Sequence, residues 1–218
     1  MAYDPAVTSA PTSSPLQPTK AERRSLLSRH FIQVIEPLLE AGELYAEISV
    51  VRLIKEAKIA RSTFYLYFVD KSDLLVAMAE DIQAELVQAG QRWWTFPPDG
   101  NRADLRAALL PSITVHRAHY KIMGALAEAA SYDENVRKRY LELMVWIISN
   151  LEIHIRQAQE QGVAAPDLEP RTTAEWLIAM HERGLYQFVG PADDERAERL
   201  VDSLTDIVWR TLYQGFRT

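Results

Sequence analysis

The 218-residue sequence contains no cysteine, which excludes disulfide bonds, thiolate nucleophiles, Cys-ligated zinc and iron–sulfur clusters. It also lacks long hydrophobic runs, because the densest, Leu143 to Ile148, has six residues, whereas a helix that crosses a bilayer needs about 20. No basic segment followed by an apolar one opens the chain, so no secretory signal is expected. These absences favour a cytoplasmic protein.

The charges are unevenly distributed along the chain. The net charge is −6 at pH 7, which by itself argues against binding to nucleic acid. Residues 20–73, however, carry nine Lys or Arg against eight acids, while the remainder carries 15 against 22. A small basic surface on an acidic protein suits contact with phosphate. An ordinary solvated charged face is the alternative interpretation.

Apolar residues recur at steps of three and four along most of the chain, the pattern of helices with one buried stripe. Residues 1–19 lack that pattern, hold four of the 11 prolines and are expected to form a disordered arm. No alternating run indicates a strand, so the sequence predicts an all-α fold. The expected helices cover residues 20–41, 49–57, 61–68, 70–89, 104–116, 120–130, 133–161, 172–188 and 194–213.

The segment from Ser49 to Leu75 predicts two short helices separated by three or four residues. Helices joined by so short a link cross steeply and leave one side of the second helix exposed, which is the geometry of a helix-turn-helix over about residues 49–68. Ser49 is a good N-cap for the first helix, and Asp70 with Asp73 suits the start of the helix that follows. The residues expected inside are Val51, Ile54, Ala57, Ile59, Phe64 and Phe68.

The exposed side of the second helix would carry groups suited to double-stranded DNA. Arginine can bond guanine bidentately, Ser and Thr hydroxyls reach phosphates or base edges, and Tyr hydroxyls contact the backbone. Lys71 would add its charge at the start of the next helix, where free amides also favour phosphate. For the tyrosines, core packing is the alternative. The candidate DNA-binding residues are Ser49, Lys58, Arg61, Ser62, Thr63, Tyr65, Leu66, Tyr67 and Lys71.

This segment resembles the TetR family of bacterial one-component transcriptional regulators, whose hallmark reads Ala-Gly-Val-Ser-Arg-x-Thr-Leu-Tyr-x-His/Tyr-Phe-x-x-Lys-x-x-Leu. The resemblance implies a DNA-reading domain over residues 20–75 and a domain over residues 76–218 that dimerises and binds a small effector. It further implies a homodimeric repressor that the effector releases from its operator. The positions in step are Ala57, Lys58, Ile59, Ala60, Arg61, Thr63, Phe64, Tyr65, Tyr67, Phe68, Lys71 and Leu74.

Three positions depart from the pattern of the family. Lys58 stands where a turn glycine is usual, which costs about 1 kcal/mol if the residue is left-handed. Ala60 replaces the capping serine at a similar cost of about 1 kcal/mol, unless Ser62 caps a later start. Ile54 stands where a small residue is usual. These changes leave open a second interpretation, a helical adaptor or sensor of the same fold that has lost specific DNA binding.

The C-terminal part is rich in wide, polarizable side chains, which suit an apolar pocket between helices; ordinary core packing is the alternative. His181-Glu182-Arg183 lies where some members of the family have Asn-Glu-Arg. His181, with Ser149 and Asn150, would orient a small apolar or amphipathic effector. The other candidate side chains are Trp93, Trp94, Phe96, Met123, Met144, Trp146, Trp176, Met180 and Tyr186.

The last two helices are expected to pair with a second copy in a four-helix interface. Gly184 lies in mid-helix, where glycine costs about 1 kcal/mol unless another helix approaches closely. A two-fold pair separates its reading helices by about 34 to 36 Å, which predicts a palindromic operator. The apolar residues expected at this interface are Leu177, Met180, Phe188, Leu200, Leu204, Ile207 or Val208, and Leu212.

No catalytic constellation is present in the sequence. It contains no glycine-rich phosphate loop, no nucleophile-elbow motif and no Glu-x-x-His. Of the five histidines only His116 and His119 are spaced to share a helix face, and a metal there would need further carboxylates. The sequence therefore predicts neither an enzyme nor a bound cofactor.

Overall fold

The fold is described by a computed structural model for residues 18–213, which form ten α-helices and no strand. The expected arm, apart from residues 18 and 19, lies outside the described residues. A 3₁₀ turn, Tyr45–Glu47, precedes α2, and a π-helical turn, Leu185–Val189, extends α9. The helices are α1 Lys20–Glu40, α2 Val50–Glu56, α3 Arg61–Tyr67, α4 Lys71–Ala89, α5 Gln91–Trp94, α6 Arg102–Ala118, α7 Tyr120–Ala129, α8 Glu134–Glu160, α9 Pro170–Gly184 and α10 Asp194–Leu212.

The all-α prediction is confirmed, and the nine predicted helices are present. The predicted helix ends lie within two residues of the observed ones, except at the end of α9. There the α-helix ends at Gly184 and the π-helical turn follows. The sequence analysis missed α5 and the turn Tyr45–Glu47, which have four and three residues. Periodicity cannot detect elements of that length.

Side-chain caps fix where several helices begin. Thr19 accepts a hydrogen bond from the Glu22 amide and Glu22 bonds back, which completes a capping box for α1. Asn101 and Asp104 do the same for α6, and Asp133 caps α8. Caps of this kind stabilise a helix by about 1 kcal/mol each.

Two clusters of buried apolar side chains organise the packing. The N-terminal cluster joins α1–α4 to α7 and the start of α8, with Phe31, Phe64 and Phe68 among its fully buried members. The C-terminal cluster joins α5, α6, α8, α9 and α10 and includes Leu151 and Tyr213. Helix α4 contributes to the N-terminal cluster and also contacts α5, α6 and α8. It therefore connects the two parts of the protein.

Length alone does not make a helix able to cross a membrane. The longest helix, α8, has 27 residues, but one of its faces is apolar and the other is charged. No helix within residues 18–213 combines the length and apolarity that a bilayer requires.

Candidate functional site

The turn between α2 and α3 contains a left-handed lysine. Lys58 has a φ of 52°, and its amide donates to the Lys55 carbonyl at 3.1 Å while the Ile59 amide donates to the Ile54 carbonyl at 3.2 Å. These two bonds form a Schellman motif, which closes a helix C-terminus and normally uses glycine at the left-handed position. Lys58 therefore adopts the same turn that glycine usually forms at this position, at a cost of about 1 kcal/mol.

Helix α3 presents one side to the core and the other to solvent. Phe64 is fully buried, with its ring edge-to-face on Phe31 at 5.8 Å. On the opposite side Tyr65 exposes 47% of its surface and Leu66 59%, and Arg61 and Ser62 are also exposed. The Arg61 guanidinium lies 5.4 Å from the centre of the Tyr65 ring. A partner can therefore reach the Arg61–Tyr65 side of α3 without displacing the core.

The N-terminus of α3 has no side-chain cap. Ala60 occupies the cap position and makes no side-chain hydrogen bond. Because the helix begins at Arg61, Ser62 lies inside the first turn and does not provide a later cap. Ser49, in contrast, caps α2 by accepting a bond from the Arg52 amide at 3.2 Å and remains exposed.

Some side chains of the helix-turn-helix lie differently from the prediction. Val51, expected inside, is 66% exposed, and Leu53 is fully buried in its place, because residues two apart on a helix point in nearly opposite directions. Tyr67 and Thr63, expected on the outer surface, are partly buried. Tyr67 packs against the N-terminal cluster, so its ring is less available to DNA than that of Tyr65.

The ammonium group of Lys71 already has protein partners. It donates to the carbonyls of Tyr45 at 3.3 Å, Ile48 at 3.4 Å and Ala46, and the Tyr45 hydroxyl donates to the Lys71 carbonyl at 2.6 Å. An ammonium has three N–H groups, so each has an acceptor. The Lys71 side chain thus ties the Tyr45–Glu47 turn to α4, and its contact with a phosphate stays a prediction.

The basic surface near α3 is narrower than the charge count indicated. Arg52 is paired with Glu43 through both carboxylate oxygens and lies 3.9 Å from Glu56. Among the ion pairs within residues 18–213, none involves Lys55, Lys58 or Arg61. These three cations are the ones positioned to meet an anionic partner.

A cavity of about 100 Å³ lies between α4, α5, α6, α7, α8 and α9, and we call it the central cavity. Six of the residues predicted for an effector line it: Trp93, Trp94, Met123, Met144, Trp146 and His181. Sequence analysis did not assign the other lining residues, which are Gln83, Leu86, Val87, Gly90, Ser112, His116, Ile147, Ile178 and Glu182.

Three buried polar atoms of residues that line the central cavity have no hydrogen-bond partner within residues 18–213. They are Gln83 Oε1, Trp93 Nε1 and His116 Nδ1, and each is shielded from solvent. A buried polar atom without a partner costs about 1–3 kcal/mol. Burial lowers the pKa of His116 to about 4 and that of His181 to about 4. Both imidazoles are therefore neutral at pH 7.

Two polar residues predicted to accompany His181 lie outside the central cavity. Arg171 Nη1 donates to Ser149 Oγ at 3.2 Å, so this hydroxyl faces the first turn of α9. Asn150 Nδ2 donates to the Trp146 carbonyl of its own helix at 2.8 Å. Their predicted place beside His181 is wrong, because α8 turns these two positions toward other partners.

Four of the predicted apolar side chains also lie elsewhere. Trp176 is 78% exposed on the outer face of α9, and Met180 lines a separate groove. Phe96 packs on Tyr213 with ring centres 5.1 Å apart. Tyr186 lies against Gly124, where an added Cβ would come within 2.2 Å of its ring. A sequence pattern does not show which face of a helix meets a neighbour, so these side chains could not be separated from the cavity set.

The separate groove runs between α9, the π-helical turn and α10, and we call it the α9–α10 groove. Phe188 exposes 51% of its surface there. An added Cβ on Gly184 would meet no atom within 4 Å, so nothing in the subunit fills the space above that glycine. Leu177 and Leu212, expected at the dimer surface, are instead buried in the C-terminal cluster, as is Val208, which was the alternative to Ile207. The expected residues that line the groove are Met180, Phe188, Leu200, Leu204 and Ile207.

Within residues 18–213 no group of three or more His, Asp or Glu is arranged to hold a metal ion. His116 lies on α6, whereas His119 follows the end of that helix, so the two do not share one helix. His119 there contacts Glu36 of α1 and lies 3.5 Å from Glu85 of α4.

Comparison with known proteins agrees with this architecture. Residues 105–214 match the family described as transcriptional regulator EthR, C-terminal domain. The HTH-type transcriptional regulator EthR of Mycobacterium tuberculosis H37Rv is 29% identical over 182 residues, which cover 83% of each chain. EthR of Mycobacterium bovis matches with the same identity and coverage.

Solved structures share the fold at lower identity. The fatty acid degradation regulator FadR from Bacillus halodurans is similar with a TM-score of 0.69 and 18% identity, over 93% of this chain and 99% of that chain. Regulatory protein TetR from Rhodobacter sphaeroides is similar with a TM-score of 0.64 and 20% identity, over 86% and 99%. The chain therefore belongs to the TetR family of helix-turn-helix transcriptional regulators and carries a C-terminal domain of the EthR type.

Proposed function

We propose that this regulator is a repressor that binds a palindromic operator as a homodimer and leaves it when a small, largely apolar effector binds. The observation that carries the proposal is the division of α3, which buries Phe64 and leaves Arg61, Tyr65 and Leu66 facing solvent. The major groove of DNA admits one helix. Helix α3 would enter it with this exposed side forward.

The exposed side chains of the helix-turn-helix can form the contacts that DNA binding requires. Arg61 would bond a guanine edge or a phosphate, and its position over the Tyr65 ring restricts where the guanidinium points. Lys55 and Lys58, which have no ion-pair partner in the described part of the chain, would meet phosphates on either side. Ser49 keeps an exposed hydroxyl that can donate while its oxygen caps α2.

The dimer would form through the α9–α10 groove and the adjoining outer face of α9. Trp176, Met180 and Gly184 follow one another at steps of four on that helix, and Phe188 continues the apolar surface beyond it. Two such surfaces related by a two-fold axis make a four-helix interface. The open space above Gly184 suits a helix from the second copy.

Electrophoretic mobility shift with fragments of the source genome tests the DNA part. Wild-type protein should bind a subset of fragments and lose affinity steeply as salt rises, because phosphate contacts release counterions. Arg61→Ala and Tyr65→Ala should each weaken binding by at least about tenfold, with the dimer and the melting temperature unchanged. Arg199→Ala, which removes an exposed arginine of α10, is the charge-matched control and should bind as wild type.

A helical adaptor of the same fold is the second candidate, and the strained Lys58 turn and the uncapped Ala60 favour it. An adaptor would show no steep salt dependence with genomic DNA or heparin. If Arg61→Ala and Tyr65→Ala instead unfold the protein, these side chains stabilise the core and the proposed reading surface is wrong.

A further inference from the structure

We propose that the central cavity selects an uncharged ligand that carries a carbonyl acceptor beside an N–H donor, as a carboxamide does. Three residues of its wall, Gln83, Trp93 and His116, each carry a buried polar atom without a hydrogen-bond partner. They come from α4, α5 and α6, so they surround one space instead of following one helix. The inference rests on the proposed function, because it concerns the effector of the same regulator.

The hydrogen-bonding roles of these atoms are complementary to an amide. Trp93 Nε1 can only donate, and Gln83 Oε1 can only accept, whereas His116 Nδ1 does either according to its tautomer. A ligand that satisfies Trp93 needs an acceptor, and one that satisfies Gln83 needs a donor. An amide supplies both from adjacent atoms, while a hydrocarbon leaves all three protein atoms unpaired.

The charge on the cavity wall disfavours anionic ligands. The lining contains no Lys or Arg, and burial keeps His116 and His181 neutral at pH 7, so a carboxylate would find no cation. The acid of the wall, Glu182, has the Tyr140 hydroxyl as a hydrogen-bond partner and would repel an anion. A cation would be attracted by the Glu182 carboxylate, but it offers no acceptor to Trp93 and would carry its charge into a largely apolar site, which is costly.

The size of the cavity limits the probes that can test this selection. At about 100 Å³ the cavity is smaller than the roughly 150 Å³ apolar cavity that admits benzene, so a single-ring probe fits only after neighbouring side chains move. The three polar atoms are closed off at present, so a ligand reaches them only after small movements of the neighbouring side chains.

The test compares four single-ring probes of similar size on the full chain at pH 7.5, by saturation-transfer NMR and tryptophan fluorescence. They are benzamide, benzoate, benzamidinium and isopropylbenzene. Benzamide should bind at least about tenfold more tightly than each of the others, because it is the only neutral probe that offers both a hydrogen-bond donor and an acceptor. Equal or tighter binding of isopropylbenzene, benzoate or benzamidinium, or no binding of any probe, would overturn the inference.

Matched variants locate the effect. Trp93→Phe removes the N–H but keeps a ring, so the preference for benzamide over isopropylbenzene should fall below about threefold. Gln83→Met should have the same effect and serves if Trp93→Phe does not fold. Trp209→Phe changes a tryptophan that packs on Tyr213 and does not line the cavity, and it should bind every probe as wild type. An unchanged preference in both cavity variants would overturn the assignment.

The genomic mobility shift, run on the same preparations, separates this inference from the proposed function. Salt-dependent DNA binding with no preference for benzamide overturns the ligand class and leaves the DNA-binding regulator intact. Absence of DNA binding contradicts the proposed function whatever the probes show.

Discussion

Lys58 closes α2 with a φ of 52°, a conformation that glycine adopts without the Cβ crowding that lysine meets. Lys58→Gly should therefore raise the free energy of unfolding by about 1 kcal/mol, measured by urea denaturation. Lys58→Ala removes the charge but keeps the Cβ, so it should give little gain. If the alanine variant gains as much as the glycine variant, the benefit comes from removing charge and not from relieved backbone strain.

His119 joins three helices at one point. Its Nδ1 contacts Glu36 of α1, and its Nε2 lies 3.5 Å from Glu85 of α4. The hydrogen bond to Glu36 is the main cause that raises the pKa of His119, against an opposing effect of burial, and Glu85 adds to it. His116 lies on α6, which ends just before His119, and the two imidazoles repel each other when charged.

This arrangement predicts a pH-dependent contribution to stability. A folded-state pKa above the unfolded value gives stability that is fully present below the unfolded pKa of about 6.5 and is lost as the pH rises through the folded pKa. Wild type should therefore exceed His119→Gln in unfolding free energy by more at pH 6 than at pH 9. His30→Gln is the control, because its imidazole meets the Ala57 carbonyl and not two carboxylates. A gap that widens toward pH 9 would contradict the assignment.

At the scale of elements, α2 and α3 form a natural comparison, since both have seven residues and one of them has a cap. Ala60→Ser should stabilise the protein by about 1 kcal/mol, and Ser49→Ala should destabilise it by a similar amount. For a chain of this length each change corresponds to about 2–4 °C in melting temperature, which differential scanning calorimetry resolves. No gain from Ala60→Ser would mean that the new hydroxyl does not reach an amide of the first turn of α3.

The long elements could be predicted because their pattern repeats often enough to be unambiguous. In α8 the apolar stripe includes Val136, Leu151 and Ile155, and all three are fully buried. In α2, with only seven residues, the pattern fits two registers, and the wrong one placed Val51 inside in place of Leu53. Short elements receive their register from tertiary contacts that a local pattern does not contain.

The candidate sites were predictable only in part, for a related reason. Trp146 and Trp176 have the same chemistry, yet one lines the central cavity and the other faces solvent. Lys71 looked like a free cation, but the carbonyls of a short turn that the sequence did not reveal take up its three donors. Gln83 and His116 resembled ordinary polar positions on helices, and only the packing shows that they are buried beside the cavity.

At the scale of the whole molecule, Gly184 distinguishes a free surface from an interface. In an isolated subunit Gly184→Ala meets no atom within 4 Å, so it should only improve helix stability, by about 1 kcal/mol. If a second copy packs on the α9–α10 groove, the added methyl group should raise the dimer dissociation constant, and Phe188→Glu should raise it further. Sedimentation equilibrium measures both.

The control for these variants is Leu26→Glu, which changes an exposed apolar residue of α1 and should leave the mass in solution unchanged. Dimers that persist in Phe188→Glu would place the interface elsewhere.

Helix α4 carries Leu74, Leu75 and Met78 in the core beneath α3 and, farther along, Gln83 and Leu86 in the wall of the central cavity. Its 19 residues make a stiff rod about 28 Å long. Tilting such a rod by about 5° about one end moves the other by about 2.5 Å, and a symmetric pair moving in opposite senses doubles that to about 5 Å. In the dimer that we propose, a ligand that displaces one end of α4 would therefore shift both copies of α3 relative to successive turns of DNA without contacting either helix.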